Sequence, residues 1–174
     1  MQTYEGNKRL FFALWPDEDM RRQLQTLIPE SPGRASRAGN LHITLVFLGD
    51  TSSAVVEQLT HCIDTLQSPP FALSIDRYGW WRGPGVYWVG PREVPESLLQ
   101  LVESIRSCAI RAGISLDTHS FKPHVTLARK MRQRPRARHT LNIHWQVDRF
   151  VLVESVQGVE GVEYRVLREW VLGD

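Results

Sequence analysis

Cysteine is scarce in this chain. Cys62 and Cys108 are its only two, and neither belongs to a Cys-x-x-Cys pair. Both fall in helical patterns, and burial as small apolar thiols in a reducing cytosol is the expected state. No run of 18 apolar residues occurs, so no membrane span is predicted. The opening Met1-Gln2-Thr3-Tyr4-Glu5-Gly6 lacks the basic and apolar regions of a signal peptide, which points to the cytoplasm. There is no Gly-x-Gly-x-x-Gly and no Gly-Lys-Ser/Thr phosphate loop, so nucleoside-triphosphate chemistry has no support. There is no His-Glu-x-x-His either. Net charge is only +2, too small to establish nucleic-acid binding.

What the chain does have is ordinary globular composition, 42% hydrophobic and 23% charged over 174 residues. That length suits one domain, residues 1–174, or two small lobes sharing a core. Charge is unevenly placed. Arg129, Lys130, Arg132, Arg134, Arg136 and Arg138 crowd together, and Arg34 and Arg37 lie in a Pro/Gly/Ser-rich stretch between residues 30 and 39 that reads as a flexible loop. A basic run is usually a solvated loop. Beside a phosphate site it becomes an electrostatic funnel for a polyanion.

The strongest signal is a repeat. Leu41-His42-Ile43-Thr44-Leu45 recurs as Pro123-His124-Val125-Thr126-Leu127. In an extended strand alternate side chains share a face, so His42 projects with Thr44 and His124 with Thr126, while Leu41, Ile43, Leu45, Val125 and Leu127 anchor the strands in a core. One His-x-Thr triplet is common by chance. Two in apolar contexts are not, although half-buried strand residues with satisfied hydrogen bonds remain the plain alternative.

Around these motifs the pattern predicts a first strand over Lys8–Leu14, a helix from Pro16 with Met20, Leu24, Leu27 and Ile28 as its stripe, and a motif strand over Leu41–Leu48. A second helix capped by Ser52 or Ser53 runs to Leu66. Then come a strand over Phe71–Trp81, its return over Val86–Val89, and a third helix from Pro95-Glu96-Ser97 to Gly113. The second motif strand is Phe121–Ala128, and Gln146–Val156 with Glu163–Leu172 reads as a hairpin. The two halves look like imperfect copies.

Two imidazoles and two hydroxyls in one groove suit cleavage of a phosphate ester. Histidine titrates near 6.5, so one ring can act as base while the other, protonated, acts as acid. The hydroxyls would hold non-bridging oxygens where charge develops. Zinc catalysis usually needs three protein ligands, and a His with a Thr is a poor donor set, so no metal is expected. The residues alone do not say which histidine is acid and which is base.

Arg9-Leu10-Phe11-Phe12-Ala13-Leu14, Asn40 to Gly49 and Phe121 to Arg129, with their order and separations, resemble the 2H phosphoesterase superfamily. The match is nearest to its bacterial branch of RNA 2′,3′-cyclic phosphodiesterases, also called 2′-5′ RNA ligases. The resemblance implies an α+β fold of two pseudo-symmetric lobes, each an antiparallel sheet with helices outside, around a central groove. It implies hydrolysis of a 2′,3′-cyclic phosphate RNA end to a 2′-phosphomonoester without a cofactor, with reversible 2′-5′ joining. RNA with such an end, tRNA fragments included, is then the expected partner, and a cytoplasmic monomer the expected form. His42 becomes the proton donor to the leaving 3′-oxygen and His124 the base for water. Thr44 and Thr126 bind phosphate, Arg129 and Lys130 contact substrate, and Phe12 is chosen over Phe11 as the side chain that stacks on a base. Trp15, Trp80, Trp81, Trp88 and Tyr87 read as packing residues, Lys122 as a neighbour that tunes His124, and His61, His139 and His144 as ordinary surface or packing residues. Two other readings stay open: a phosphodiesterase for small cyclic nucleotides, and a binding module for RNA ends without turnover.

Overall fold

The computed structural model describes residues 6–30, 33–137 and 139–173, so Arg138 of the basic run lies outside it. Among the described residues, ten strands and three α-helices run in the order β1 (Lys8–Leu14), α1 (Glu18–Gln25), β2 (Arg34–Ala35), β3 (Ile43–Thr51), α2 (Ser53–Ile63), β4 (Phe71–Ile75), β5 (Arg77–Trp81), β6 (Val86–Gly90), α3 (Glu96–Arg111), β7 (Val125–Arg129), β8 (Ile143–Val147), β9 (Arg149–Gly158) and β10 (Gly161–Val171). A 3₁₀ turn, Ala38–Asn40, leads into the first motif. The main sheet is antiparallel in the order β10-β9-β1-β3-β7-β6-β5, with β2 added to β7. The expected α+β architecture is present, with both motif strands in one continuous antiparallel sheet. Strands β10, β9, β1 and β3 form one half, β7, β6 and β5 the other, and the single pair Ile43–Val125 joins them.

One face of the sheet carries the core. Met20 and Leu24 of α1, Val56, Leu59 and Ile63 of α2, and Leu98, Leu101, Val102, Ile105 and Ala109 of α3 pack with Leu10, Phe12 and Leu14, Leu41, Ile43 and Leu45, and Val125 and Leu127. The opposite face carries a small apolar group, Phe11, Ala13, Val151 and Val153, with Trp15 and Tyr164 against it. The motif side chains lie on this face.

Several boundaries differ from expectation for local reasons. The first helix starts at Glu18 because Asp17 caps it, its Oδ1 accepting from the Met20 N–H at 2.8 Å. The second ends at Ile63, not Leu66. Phe71–Trp81 is two strands. The chain turns at Asp76, whose Oδ1 accepts from the Arg92 N–H, and β4 leaves to pair with β8 in a separate sheet. The same happens at Asp148, between β8 and β9. The stretch read as a loop contains β2, hydrogen-bonded to β7.

The cysteines correct a further expectation. Cys62 of α2 and Cys108 of α3 are a disulfide, with Cα atoms 5.7 Å apart. Their helices pack together, so thiols separated by 46 residues meet in space. This removes the reduced-thiol argument for a cytosolic setting. Among the described residues no helix is long and apolar enough to cross a membrane.

Candidate active site

Both motif histidines sit one residue before their strands, at the seam between the halves. Ile43 faces Val125 in an antiparallel register. That register carries His42 toward Thr126 and Thr44 toward His124. All four side chains line one cavity of about 660 Å³. Arg9, Phe11, Arg34, Arg37, Asn40, Phe47, Arg129, Glu160 and Tyr164 complete much of its wall.

Each imidazole is held by a backbone carbonyl two residues upstream. Nδ1 of His42 lies 2.6 Å from Asn40 O, and Nδ1 of His124 lies 2.8 Å from Lys122 O. A carbonyl only accepts, so both rings carry their proton on Nδ1 when neutral and keep Nε2 for chemistry. Nε2 of His42 is 2.9 Å from Thr44 Oγ1, so that hydroxyl donates to it in the neutral form. Aromatic rings wall both sites. His42 is stacked by Trp15 at 5.7 Å between ring centroids and flanked by Phe11 at 5.0 Å and Tyr164 at 5.1 Å. His124 meets the edge of Trp81 at 4.5 Å and lies 6.1 Å from Trp88. Trp88 can lie there because its cross-strand partner is Gly79, where any Cβ would fall about 2 Å from the indole.

These walls set the proton affinities. Burial pushes His42 down to about 4, against the upward pull of its bond to Asn40, and the positive charges of His124, Arg129 and Arg21 depress it further. Burial likewise lowers His124, against its bond to Lys122, with Arg129 adding to the depression. Both shifts favour the neutral ring at pH 7.

Arg129 reaches the cavity although simple alternation from Thr126 would turn it away. In the β6–β7 pairing, Trp88 faces Thr126 while Tyr87 faces Ala128, so β7 carries one extra residue at Leu127. This bulge re-aims the side chains beyond it. Arg34 is the cross-strand neighbour of Arg129 and also lines the cavity. Two like charges set opposite one another favour an anion between them.

Other expectations fare differently. Phe12 does not face the cavity. It is fully buried in the main core against Phe150 and Trp170, because β1 turns its even-numbered side chains to the helices. Phe11 takes the cavity side, but is only 3% exposed beneath His42 and Tyr164, so neither phenylalanine has a free face. Lys130 is exposed with a left-handed backbone (φ 54°) and does not line the cavity. Nor do Arg132, Arg134 and Arg136. Lys122 contributes its carbonyl, while its side chain is exposed. Trp15 and Trp81, read as packing residues, pack on the histidines themselves. Tyr164 carries no motif signal, while Asn40 and Phe47 fall within the Asn40 to Gly49 stretch but outside the His-x-Thr pattern that picks out the site. Among the described residues no group of three or more His, Cys, Asp or Glu is placed to hold a metal ion.

A crystal structure of a phosphoesterase superposes with a TM-score of 0.89 at 32% identity, covering 97% of this chain and 99% of that one. Escherichia coli LigT complexed with 3′-AMP superposes with a TM-score of 0.83 at 31% identity, covering 98% and 100%. The RNA 2′,3′-cyclic phosphodiesterase of Escherichia coli (strain K12) is 33% identical over 170 residues, 95% of this chain and 97% of its own. Residues 16–158 match the model of the 2′-5′ RNA ligase superfamily, and the chain belongs to that superfamily.

Proposed function

We propose that this protein is an RNA 2′,3′-cyclic phosphodiesterase that opens a 2′,3′-cyclic phosphate end to a 2′-phosphomonoester and a 3′-hydroxyl, using His42 and His124 as an acid–base pair. The observation that carries this is the cavity itself, where two imidazoles, each held through Nδ1, stand with two threonine hydroxyls on one wall. The family resemblance and the similarity to named cyclic phosphodiesterases support the same reaction.

In this reading His124 takes a proton from water as its oxygen attacks phosphorus, the P–O3′ bond breaks, and His42 gives its proton to the departing 3′-oxygen. Neither proton transfer needs a metal. His42 acquires its proton with the substrate, because a bound phosphate anion counters the burial that, with the smaller contributions of His124, Arg129 and Arg21, holds the ring neutral. Once protonated, Nε2 becomes a donor, and the Thr44 hydroxyl hydrogen is released from it toward a phosphate oxygen. Thr126 and Arg129 serve the other oxygens. The reverse reaction joins a cyclic-phosphate end to a 5′-hydroxyl through a 2′-5′ linkage when both ends are held together.

RNA ends, tRNA fragments among them, are the substrate class, the cytoplasm is the compartment, and one chain is the working unit. A second reading, a small cyclic nucleotide as substrate, is favoured by one fact: within the described basic run only Arg129 lines the cavity. A chelator-treated assay of a cyclic-phosphate mononucleotide and a long RNA at two salt concentrations separates the two. A steep salt penalty confined to the long RNA supports the RNA reading. Equal rates and equal salt response support the small nucleotide. No turnover of either contradicts the phosphodiesterase.

A further inference from the structure

Arg22, Arg37, Arg149, Arg165 and Arg168 each form an ion pair with a carboxylate. The basic run behaves differently. Lys130, Arg132, Arg134 and Arg136 are exposed, and among the described residues no carboxylate pairs with any of them. No Asp or Glu occurs between residues 118 and 147. Like charges crowded without counter-charge repel one another, so the run is suited to an anion that this chain does not itself supply there.

The run is pinned where it begins. β7 ends at Arg129, Lys130 turns the chain with its left-handed backbone (φ 54°), and Met131 enters the core at 5% exposure. The Met131 N–H donates to Gly85 O at 2.9 Å. Two glycines make room for it. A Cβ on Gly33 would collide with the Met131 sulfur, and one on Gly85, itself left-handed at φ 65°, would fall 2.8 Å from Met131 O. The cations therefore start at the end of β7, where Arg34 and Arg129 line the cavity as cross-strand neighbours. Burial and the neighbouring Tyr78 raise the Tyr87 phenol while the charge of Arg134 lowers it, so Arg134 lies close to the start of β6. Arg134 and Arg136 flank Pro135, which fixes its own φ and keeps Arg134 out of helical conformation. Two residues of extended chain advance roughly 6.6 Å, a step on the scale of one nucleotide.

None of these four cations lines the cavity, so none serves the reacting phosphate. We infer that residues 130–136 are a phosphate track, which holds the RNA backbone on the 5′ side of the terminal nucleotide after it leaves the cavity past Arg34 and Arg129. This rests on the phosphodiesterase reading above and names the substrate of that site as an RNA strand rather than a single nucleotide. Four described cations serve about four phosphates beyond the reacting one. Contacts to phosphate carry no sequence information, so the track accepts any sequence.

The test compares a cyclic-phosphate mononucleotide with single-stranded RNAs of increasing length that carry the same end. On the unaltered protein kcat/KM should rise with each added nucleotide and level off after about four. Arg132→Gln, Arg134→Gln and Arg136→Gln together should lower kcat/KM on a ten-nucleotide RNA by about 10- to 100-fold at roughly 0.1 M salt. That loss should fade as salt rises, since each phosphate contact contributes about 0.7 to the salt slope on a single strand. The rate on the mononucleotide should not change. Lysine at the same three positions keeps the charge and should keep the gain with length. Equal loss on both substrates, no loss on the long RNA, a rate indifferent to length, or the same loss with lysine as with glutamine overturns the track. Fluorescence anisotropy of a 5′-labelled ten-nucleotide RNA ending in a 2′-phosphate repeats the comparison without turnover. An unaltered protein that hydrolyses neither substrate thus contradicts the phosphodiesterase, while the track is judged on whether the triple glutamine variant weakens binding of the long RNA.

Discussion

Ile43 and Val125, the central residues of the two His-x-Thr motifs, are each other's partners across the seam of the sheet. An antiparallel pair has a local twofold axis through its midpoint. That axis exchanges His42 with His124 and Thr44 with Thr126, so each imidazole is set beside the other motif's hydroxyl. A sequence repeat thereby becomes a symmetric arrangement of two imidazoles and two hydroxyls in one cavity.

Because the hydroxyls are related by that axis, Thr44→Val and Thr126→Val should each lower kcat, by about 10- to 100-fold, somewhat less than the ~10²–10³ typical of losing a dedicated oxyanion donor. Serine at either position should restore most of the rate. The Thr44 change should also move the pH profile, since the Thr44 hydroxyl bonds Nε2 of His42. Steady-state kinetics on a cyclic-phosphate substrate across pH check both points.

The proton affinities set a pH dependence. The active free enzyme needs one neutral and one protonated ring. With His42 near 4 and His124 below its ordinary 6.5, that state is most populated on the acid side of 6.5. The kcat/KM profile should therefore peak below pH 6.5 and fall toward neutrality, while kcat, which reports the substrate-bound enzyme, should peak at higher pH because the bound anion raises both rings. A kcat/KM that is flat from pH 5 to 8 contradicts this. The same depression costs stability as pH falls from about 6.5 toward 4, where an unfolded imidazole takes up a proton and folded His42 does not.

Arg129 should reveal itself through the same profile. It lowers both histidines. Arg129→Gln should move the falling limb of kcat/KM to higher pH while raising KM for every phosphate substrate. A loss of rate with the limb unmoved would place Arg129 outside the field of the imidazoles.

The Cys62–Cys108 bridge closes a loop of 46 residues, for which chain-entropy reasoning gives a contribution of about 4 kcal/mol. Reductant, or Cys62→Ser with Cys108→Ser, should lower unfolding stability by about 2–4 kcal/mol in denaturant titration. The cavity lies on the other face of the sheet, so activity of the folded reduced protein should stay close to that of the oxidised form.

Much of the site was legible because it is local: a His-x-Thr in a strand-like context displays two side chains whatever the rest of the fold does. The helices were legible from their apolar stripes, as at Leu98, Leu101, Val102 and Ile105. What escaped depends on pairing. The choice between Phe11 and Phe12 turns on which face of β1 meets the helices, and alternation alone treats the two faces as equals. Arg129 needs the bulge at Leu127 and Phe47 those in β3, and no residue in either strand announces an extra position. The splits at Asp76 and Asp148 have the same origin, since sheet membership is decided by partners far away in the chain. The disulfide required knowing that α2 lies against α3.

The central claim is that two imidazoles, with no metal, supply the acid and the base that open the cyclic phosphate. The measurement is product mapping, in excess chelator, of an RNA ending in a 2′,3′-cyclic phosphate, with the unaltered protein, His42→Ala and His124→Ala side by side. The account predicts a 2′-phosphate end that persists in chelator, with each variant folded and slowed by at least about 10²–10⁴-fold, the worth of one general acid or base. Full activity in either variant, loss of activity to the chelator, or a 3′-phosphate end would contradict it.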